Sequence, residues 1–388
     1  MQQSTWFTPE GLEDLLPPQA QKLEAYRRQL IDGFQLSGYD LVLPPLAEFT
    51  DSLLTGTARH LAIETCRFTD QESGRMMGVR ADITPQIARI VANRLKANDR
   101  ISRLCYVGEV LKTRNNKAKG SRSPIQVGAE IFGHSGLQSD LEIIELMLES
   151  LTRLPLTTKL SLGHVGVVDE LMQLAGLSNE LQTQLIDVLE RKAIPEFEAF
   201  VAQLPASEWT LRFTQLMNLC GDAEMVMEQA QTHLTGLSAR LDSYLAHMQG
   251  VVSHLVQARP GLSIHLDFAD IRGYEYHTGV IFAAYSACGC LQPIANGGRY
   301  DNISADFGLA LPATGFSLDL RTALDLLPVI NQVAQETVYS PCAADPALQL
   351  KVAELKQQGI QVIKAYEPQT IPAGARRLEK QGASWNLV

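Results

Sequence analysis

Two strand-like runs, ISRLCYVGEVL and PIQVGAEIFG, lie on either side of the basic stretch KTRNNKAKGSRS. Successive side chains of an extended chain point to opposite faces. In PIQVGAEIFG, Ile125, Val127, Ala129 and Ile131 therefore share one face, and Gln126, Gly128 and Glu130 share the other. The first face suits a core. The second offers an amide, a gap and a carboxylate, which is how a sheet makes room for a small polar ligand. Tyr106, Gly108, Val110 and Lys112 share a face of the preceding strand, and the pattern predicts that its glycine lies opposite the glycine of the second strand. A hairpin with one apolar and one polar, ligand-sized face restricts the fold to an antiparallel sheet covered on its apolar side. The loop between the runs carries Lys112, Arg114, Lys117, Lys119 and Arg122 and no acid. It reads as a solvated loop, a contact for a partner protein, or a residual anion site.

The elements around this hairpin alternate in type. Residues 18–37 form an apolar stripe through Leu23, Leu30 and Phe34 and stop at Gly38. The extended segment YDLVLPPLAE is broken by Pro44 and Pro45, which cannot donate to a ladder and so end a strand or mark an edge. A short strand at 76–80 precedes a helix with Thr84 as N-cap and Pro85 at its first turn. In SDLEIIELMLESL, Ser139 and Glu142 form a capping box. From about Gly163 the pattern is nearly all helix, and strands resume at LSIHLDFADIRGYEYHTGVIFAAYS. The expected organisation is α+β: a core of residues 1–162 and 261–328, a helical insertion at 163–260, and a small α/β domain at 329–388. The last should run strand, helix (capped by Asp345, to Gly359), strand, second helix, strand.

With 388 residues, 45% hydrophobic and 20% charged, the chain has ample material for a large core. A net charge of −10 argues against a surface coated for nucleic acid. No apolar run approaches the length of a membrane span, and no signal-peptide pattern opens the chain, so a cytoplasmic location is expected. The six cysteines are scattered and read as reduced structural thiols; the C-G-C of Cys288 and Cys290 lacks a second ligand pair. His164, His247, His254 and His265 lack metal-ligand spacing and read as structural.

The polar residues suggest what the pocket could hold. Glu130, Asp82 and Glu275 suit an ammonium or imidazolium. Gln126 can both donate to and accept from a ring nitrogen, and Arg272 can fork onto a carboxylate. Tyr274 and Tyr276 offer amphipathic walls. Pattern alone carries this to a small polar ligand.

Five segments resemble a known family. GYDLVLPPLAE is similar to motif 1 of class II aminoacyl-tRNA synthetases, the dimer-forming motif, and CYVGEVLKTR…QVGAEIFG to motif 2. RGYEYHTGVIF and NGGRYD resemble two peptides peculiar to histidyl-tRNA synthetases, and ATGFSLDLRTAL resembles motif 3. The resemblance spans residues 5 to about 328. It implies a class II synthetase-like antiparallel sheet and a histidine site at Asp82, Thr84, Gln126, Glu130, Arg272, Tyr276, His277 and Tyr300.

The ATP half departs from the family. Where family motif 2 has Phe-Arg-x-Glu, this chain has Leu111, Lys112, Thr113 and Arg114. A point charge thus replaces the fork on the α-phosphate, and a base replaces an acid. Where motif 3 ends Gly-Leu-Glu-Arg, Asp319, Leu320, Arg321 and Thr322 stand, so the arginine is shifted about 100° around its helix. A histidine pocket beside a degenerate ATP site (Lys112, Arg114, Asp319, Thr322) resembles the regulatory subunits of short-form ATP phosphoribosyltransferase. That resemblance implies no cofactor and no catalysis by this chain, self-association through the motif-1-like region, and a hetero-octameric assembly with the short catalytic subunit of this glycosyltransferase. It also implies activation of that subunit in the first step of histidine biosynthesis, and feedback by L-histidine. Two alternatives are a histidine–tRNA ligase with a divergent ATP site and a stand-alone module acting on translation. The short C-terminal unit and acidic charge count against tRNA binding.

Overall fold

The predicted hairpin forms as the strands Ser102–Glu109 and Ile125–Phe132, paired antiparallel as the second and third strands of a nine-stranded sheet. The computed structural model describes residues 7–95, 101–114, 121–204, 208–287, 292–327, 336–367 and 371–388. Lys117 and Lys119 of the basic loop, and Cys288 and Cys290, lie outside these residues. Across the sheet the strands run Asp40–Leu41, Ser102–Glu109, Ile125–Phe132, Ala313–Asp319, Pro293–Arg299, Val280–Ser286, Thr158–His164, Ser263–Asp267 and Cys220–Asp222. Two neighbouring pairs are parallel, Asp40–Leu41 with Ser102–Glu109 and Thr158–His164 with Ser263–Asp267; the others are antiparallel.

The two faces of the sheet are occupied differently. Ile125, Val127, Ala129 and Ile131 join one large core with Leu30, Phe34, Ile143, Met147 and Leu151 from the helices Gln19–Leu36 and Leu137–Arg153. The opposite face holds a smaller apolar cluster built from Ile83, Ile87, Leu104, Tyr106, Phe132 and Tyr300. The period-two reading of the 125–132 strand therefore describes both layers: apolar residues face the helices, and Glu130 faces the smaller layer.

The caps predicted at Thr84 and at Ser139 with Glu142 both fail. The helix Thr84–Ile90 begins at Thr84, and its hydroxyl is drawn to Glu130 rather than to the helix start. Asp82 serves that end instead, its Oδ1 accepting from the Thr84 N–H at 2.9 Å. The helix Leu137–Arg153 starts before the supposed box. Ser139 Oγ donates to Gly136 O at 2.9 Å, and Glu142 takes a two-pronged bond from Arg103 and one from the Tyr39 hydroxyl. In both cases a tertiary partner outbids the local backbone for the side chain.

Between Val165 and Ala258 six helices follow one another, interrupted by the strand Cys220–Asp222 at the sheet edge. Their apolar faces (Leu171, Leu185, Phe200, Phe213, Met227, Met248) belong to the same core as the sheet. Among the described residues no helix is long and apolar enough to cross a membrane.

By contacts the chain divides into Met1–Leu327 and Pro328–Val388. The second unit pairs Thr337–Pro341 in parallel with Gln361–Ala365 across the helix Pro346–Gln357. Asp345 caps that helix as expected, accepting from Ala347 N–H at 2.9 Å. The expected second helix is absent among the described residues. A hairpin, Leu378–Gln381 with Ser384–Leu387, stands there, and Trp385 anchors it by donating to Asp345 Oδ2 at 3.0 Å. The short apolar run at the chain end favours a strand pair, which needs fewer residues than a helix to bury Leu378.

Candidate functional site

The floor of the site is set by strand register. Gly298, Gly315, Glu130 and Leu104 lie in one cross-strand row; Asn296, Ser317, Gly128 and Tyr106 in the next; Asp319, Gln126 and Gly108 in a third. Contrary to the expectation from the sequence, the two hairpin glycines are therefore not opposite each other: Gly108 faces Gln126 and Gly128 faces Tyr106. Each faces a large residue, and the space each leaves is already taken. A Cβ on Gly128 would meet the Tyr106 hydroxyl and Phe316 O, and one on Gly108 would meet the Arg80 guanidinium. Gly128 is needed to let Tyr106 lie flat across the floor. Gly128→Ala should therefore destabilise the fold by about 1–3 kcal/mol, as overpacked cores do, and a urea unfolding midpoint would register it.

The opening comes instead from Gly315, where an added methyl would overlap both Glu130 Oε2 and the Tyr300 hydroxyl. Above this row is a cavity of about 170 Å³ lined by Asp82, Thr84, Glu130, Tyr276, His277 and Tyr300 among others. Glu130 is 1% exposed. Its Oε1 accepts from Thr84 Oγ1 at 3.0 Å and from Tyr106 OH at 3.1 Å, while Oε2 has no partner. The Tyr300 hydroxyl is likewise buried and unpaired. Buried polar atoms are almost always satisfied, so these two orphans, aimed at one cavity, mark where a ligand's polar atoms belong. Burial, reinforced by the nearby Asp82 carboxylate, pushes the Glu130 carboxyl well above its ordinary range, although the Thr84 and Tyr106 hydrogen bonds pull the other way. A cationic or N–H-bearing ligand would supply the missing charge partner.

The walls are aromatic. The Tyr276 and Tyr300 rings lie 4.9 Å apart, and Tyr276 and His277 meet edge-on at 5.1 Å. His277 Nδ1 lies 3.1 Å from Gly273 O, and burial lowers its pKa to about 4. A carbonyl can only accept, so Nδ1 carries the proton, and Nε2 of the neutral ring is a bare acceptor.

Asp82 and Gln126 form the rim. Asp82 Oδ1 also accepts from Gln126 Nε2 at 3.1 Å, and Gln126 Oε1 accepts from Ile83 N–H at 2.9 Å. Gln126 thus clamps the 82–84 turn and lines a second, adjoining cavity rather than the first. Arg272 does not join the site as predicted. Its guanidinium forks onto Asp270, two residues back and buried, and bonds the Tyr285 hydroxyl, so it lines a different cavity. Tyr274 also turns away, donating to Asp169 at 2.9 Å, and Glu275 is exposed and lines neither cavity.

The adjoining cavity, about 200 Å³, shares Asp82, Asn296 and Ser317 with the first and is further lined by Lys112, Arg114, Gln126 and Asp319. Lys112 Nζ is held 2.7 Å from Glu64 Oε2. Asp319 caps the helix Leu320–Leu326, accepting from Arg321 N–H at 3.1 Å and from Thr322 Oγ1 at 2.6 Å. Arg321 points out of the cavity toward the Glu13 carbonyl, 3.3 Å away. The cavity thus presents two acids, one neutralised lysine and Arg114, a poor match for a triphosphate.

Several contributors escaped the sequence reading. Glu64, Arg80, Asn296, Gly315 and Ser317 were all missed, although alternation along ATGFSLD and PIANGGR would have placed the last three on the floor. Arg299 was also missed. It is 6% exposed and bonds Asp140 through Nε (3.1 Å) and Nη2 (2.8 Å), and Asp301 through Nη1 (3.1 Å). Asp301 also accepts from Ala313 N–H, which sets the turn carrying Tyr300. Burial pushes the Asp140 carboxyl up, but the His247 and Arg299 contacts together hold it below its ordinary range.

A family model described as histidyl-tRNA synthetase matches residues 11–323. A protein of Hydrogenovibrio crunogenus named ATP phosphoribosyltransferase regulatory subunit is 58% identical, over 100% of this chain and 99% of its own length. One of the same name from Methylococcus capsulatus is 44% identical, over 98% and 95%. Among solved structures, an ATP phosphoribosyltransferase regulatory subunit/histidyl-tRNA synthetase from Bacillus halodurans matches with a TM-score of 0.82 at 25% identity, covering 95% of this chain and 96% of that one. The histidyl-tRNA synthetase of Nostoc shares the fold, with a TM-score of 0.78 at 18% identity over 96% and 88%. The fold is that of class II aminoacyl-tRNA synthetases, as the five motif-like segments imply.

Proposed function

This chain belongs to the family of ATP phosphoribosyltransferase regulatory subunits, and we propose that it is a non-catalytic histidine sensor that activates a short catalytic subunit and lets L-histidine restrain it. The observation that carries this reading is the contrast between two adjoining cavities. One keeps an unpaired Glu130 oxygen and an unpaired Tyr300 hydroxyl under an aromatic wall. The other has its lysine tied to Glu64 and an acid capping a helix.

In this reading, Glu130 and Tyr300 bind the polar atoms of the histidine side chain. Tyr276 and His277 enclose the ring, and Thr84 orients Glu130. Asp82, fixed by Gln126, takes the ammonium at the rim. Arg272 has no part in it, since Asp270 holds it elsewhere. No bond is made or broken: binding energy is converted only into a preference between arrangements of the complex. Such coupling typically amounts to about 1–3 kcal/mol, and histidine exerts it only by binding the less active arrangement more tightly. The complex forms in the cytoplasm, and this chain pairs with itself through the segment around residues 39–48.

Mixing the purified chain with a short-form catalytic subunit should raise product formation from ATP and phosphoribosyl pyrophosphate. The two should co-elute, and added L-histidine should lower the rate. Absence of both stimulation and co-elution would refute the reading. Histidine-dependent ATP–pyrophosphate exchange should be undetectable, since exchange requires the phosphate grip that Lys112 and Asp319 have replaced; measurable exchange would make the chain a ligase.

A further inference from the structure

At the far edge of the sheet is a cluster of titratable groups that the histidine site does not use. Cys220 opens the edge strand Cys220–Asp222, opposite Asp267 on Ser263–Asp267. His265 and Asp267 are two residues apart on that strand and share a face. Cys220 Sγ lies 3.4 Å from His265 Nε2. The thiol, the imidazole and an Asp267 carboxylate oxygen all fall within 4.8 Å of one another. Ligands at zinc-like bond lengths around a tetrahedron are separated by about 3.3–3.8 Å, so a small closure of this triangle would complete three corners.

Two further features favour a cation here. Asp267 Oδ1 is fixed by Ala269 N–H at 2.9 Å, so Oδ2 is the oxygen left to meet a cation. That oxygen is already held by a positive charge, the Lys192 ammonium, on a side chain that is 49% exposed and so free to swing away. His265, Asp267 and Lys192 also line a broad cavity of about 580 Å³, from which a water could supply the fourth ligand.

We propose that Cys220, His265 and Asp267 form a binding site for a borderline-soft divalent metal of the zinc class, with Lys192 as its built-in competitor. A thiolate with an imidazole selects Zn²⁺, Co²⁺ or Ni²⁺ over Mg²⁺ and Ca²⁺, which prefer all-oxygen shells. The bound ion would staple the edge strand to the sheet. Asp222 of that strand caps the helix Ala223–Leu234, so the ion would also fix where this helix begins.

Cobalt titration of the full chain tests the site. One equivalent of Co²⁺ should produce a thiolate-to-cobalt charge-transfer band in the near ultraviolet that Zn²⁺ abolishes, and Zn²⁺ should raise the melting temperature by mass action. Cys220→Ser should remove the band with the helical circular dichroism unchanged. His265→Ala should lose the binding, and Lys192→Ala should tighten it several-fold. No band, or a band that survives in Cys220→Ser and so belongs to another cysteine, would overturn the proposal. Unchanged affinity in Lys192→Ala would overturn the competitor role.

Discussion

Glu130→Ala will abolish or severely weaken L-histidine binding while leaving the fold intact. Calorimetry should show a loss of about 2–5 kcal/mol, the usual penalty for truncating one partner of a buried, hydrogen-bonded charged contact, or well over tenfold in Kd. Unchanged affinity would remove Glu130 from the site. Glu130→Gln separates binding from stability. The carboxyl has a folded pKa raised above its ordinary value near 4.5. Its contribution is therefore fully favourable below that value and is lost as pH rises, because the unfolded chain ionises while the buried group resists. The amide carries no such cost. The ligand-free Gln variant should thus be more stable than the parent at pH 8, with the gap narrowing toward pH 5, while binding histidine more weakly. A pH-independent gap would mean that Glu130 is not perturbed by burial.

The second large effect is structural. Arg299→Met removes the guanidinium that pairs with Asp140, which is itself 0% exposed. Removing one partner of a buried pair typically costs about 3–5 kcal/mol, because the remaining charge has no water to turn to. The urea midpoint should fall accordingly. Adding Asp140→Asn should recover part of the loss, since the double variant leaves no stranded charge. Equal destabilisation in the single and double variants would show that Arg299 acts by packing alone.

Period-two alternation reads true for the strand that separates two environments: Ile125, Val127 and Ala129 face the helices, and Glu130 faces the smaller layer and its cavity. Inference failed where a local rule competed with a distant partner. Thr84 and Ser139 look like helix caps in sequence, but Glu130 claims one, and His134 and Arg299 surround the other. Gly128 and Gly108 looked like ligand space because nothing local announces that Tyr106 and Arg80 fill it. Arg272 has a choice between a ligand carboxylate and a structural ion pair, and Asp270, two residues back and buried, takes it. Residues such as Asn296 and Ser317 needed the strand order itself, which places 293–299 and 313–319 beside the hairpin across nearly two hundred residues.

The contact between Lys112 and Glu64 has a consequence for any nucleotide that diffuses in. Glu64 is an acid attached to the same chain and held 2.7 Å from the ammonium. A tethered competitor acts at the effective concentration of its tether, of millimolar order even for flexible links. A free phosphate must outcompete it at cellular abundance and without the chelate of an arginine fork. The cavity is thus self-inhibited by its own side chain. In the proposed reading, that cavity can lie beside the one floored by Glu130 without nucleotide competing for the signal.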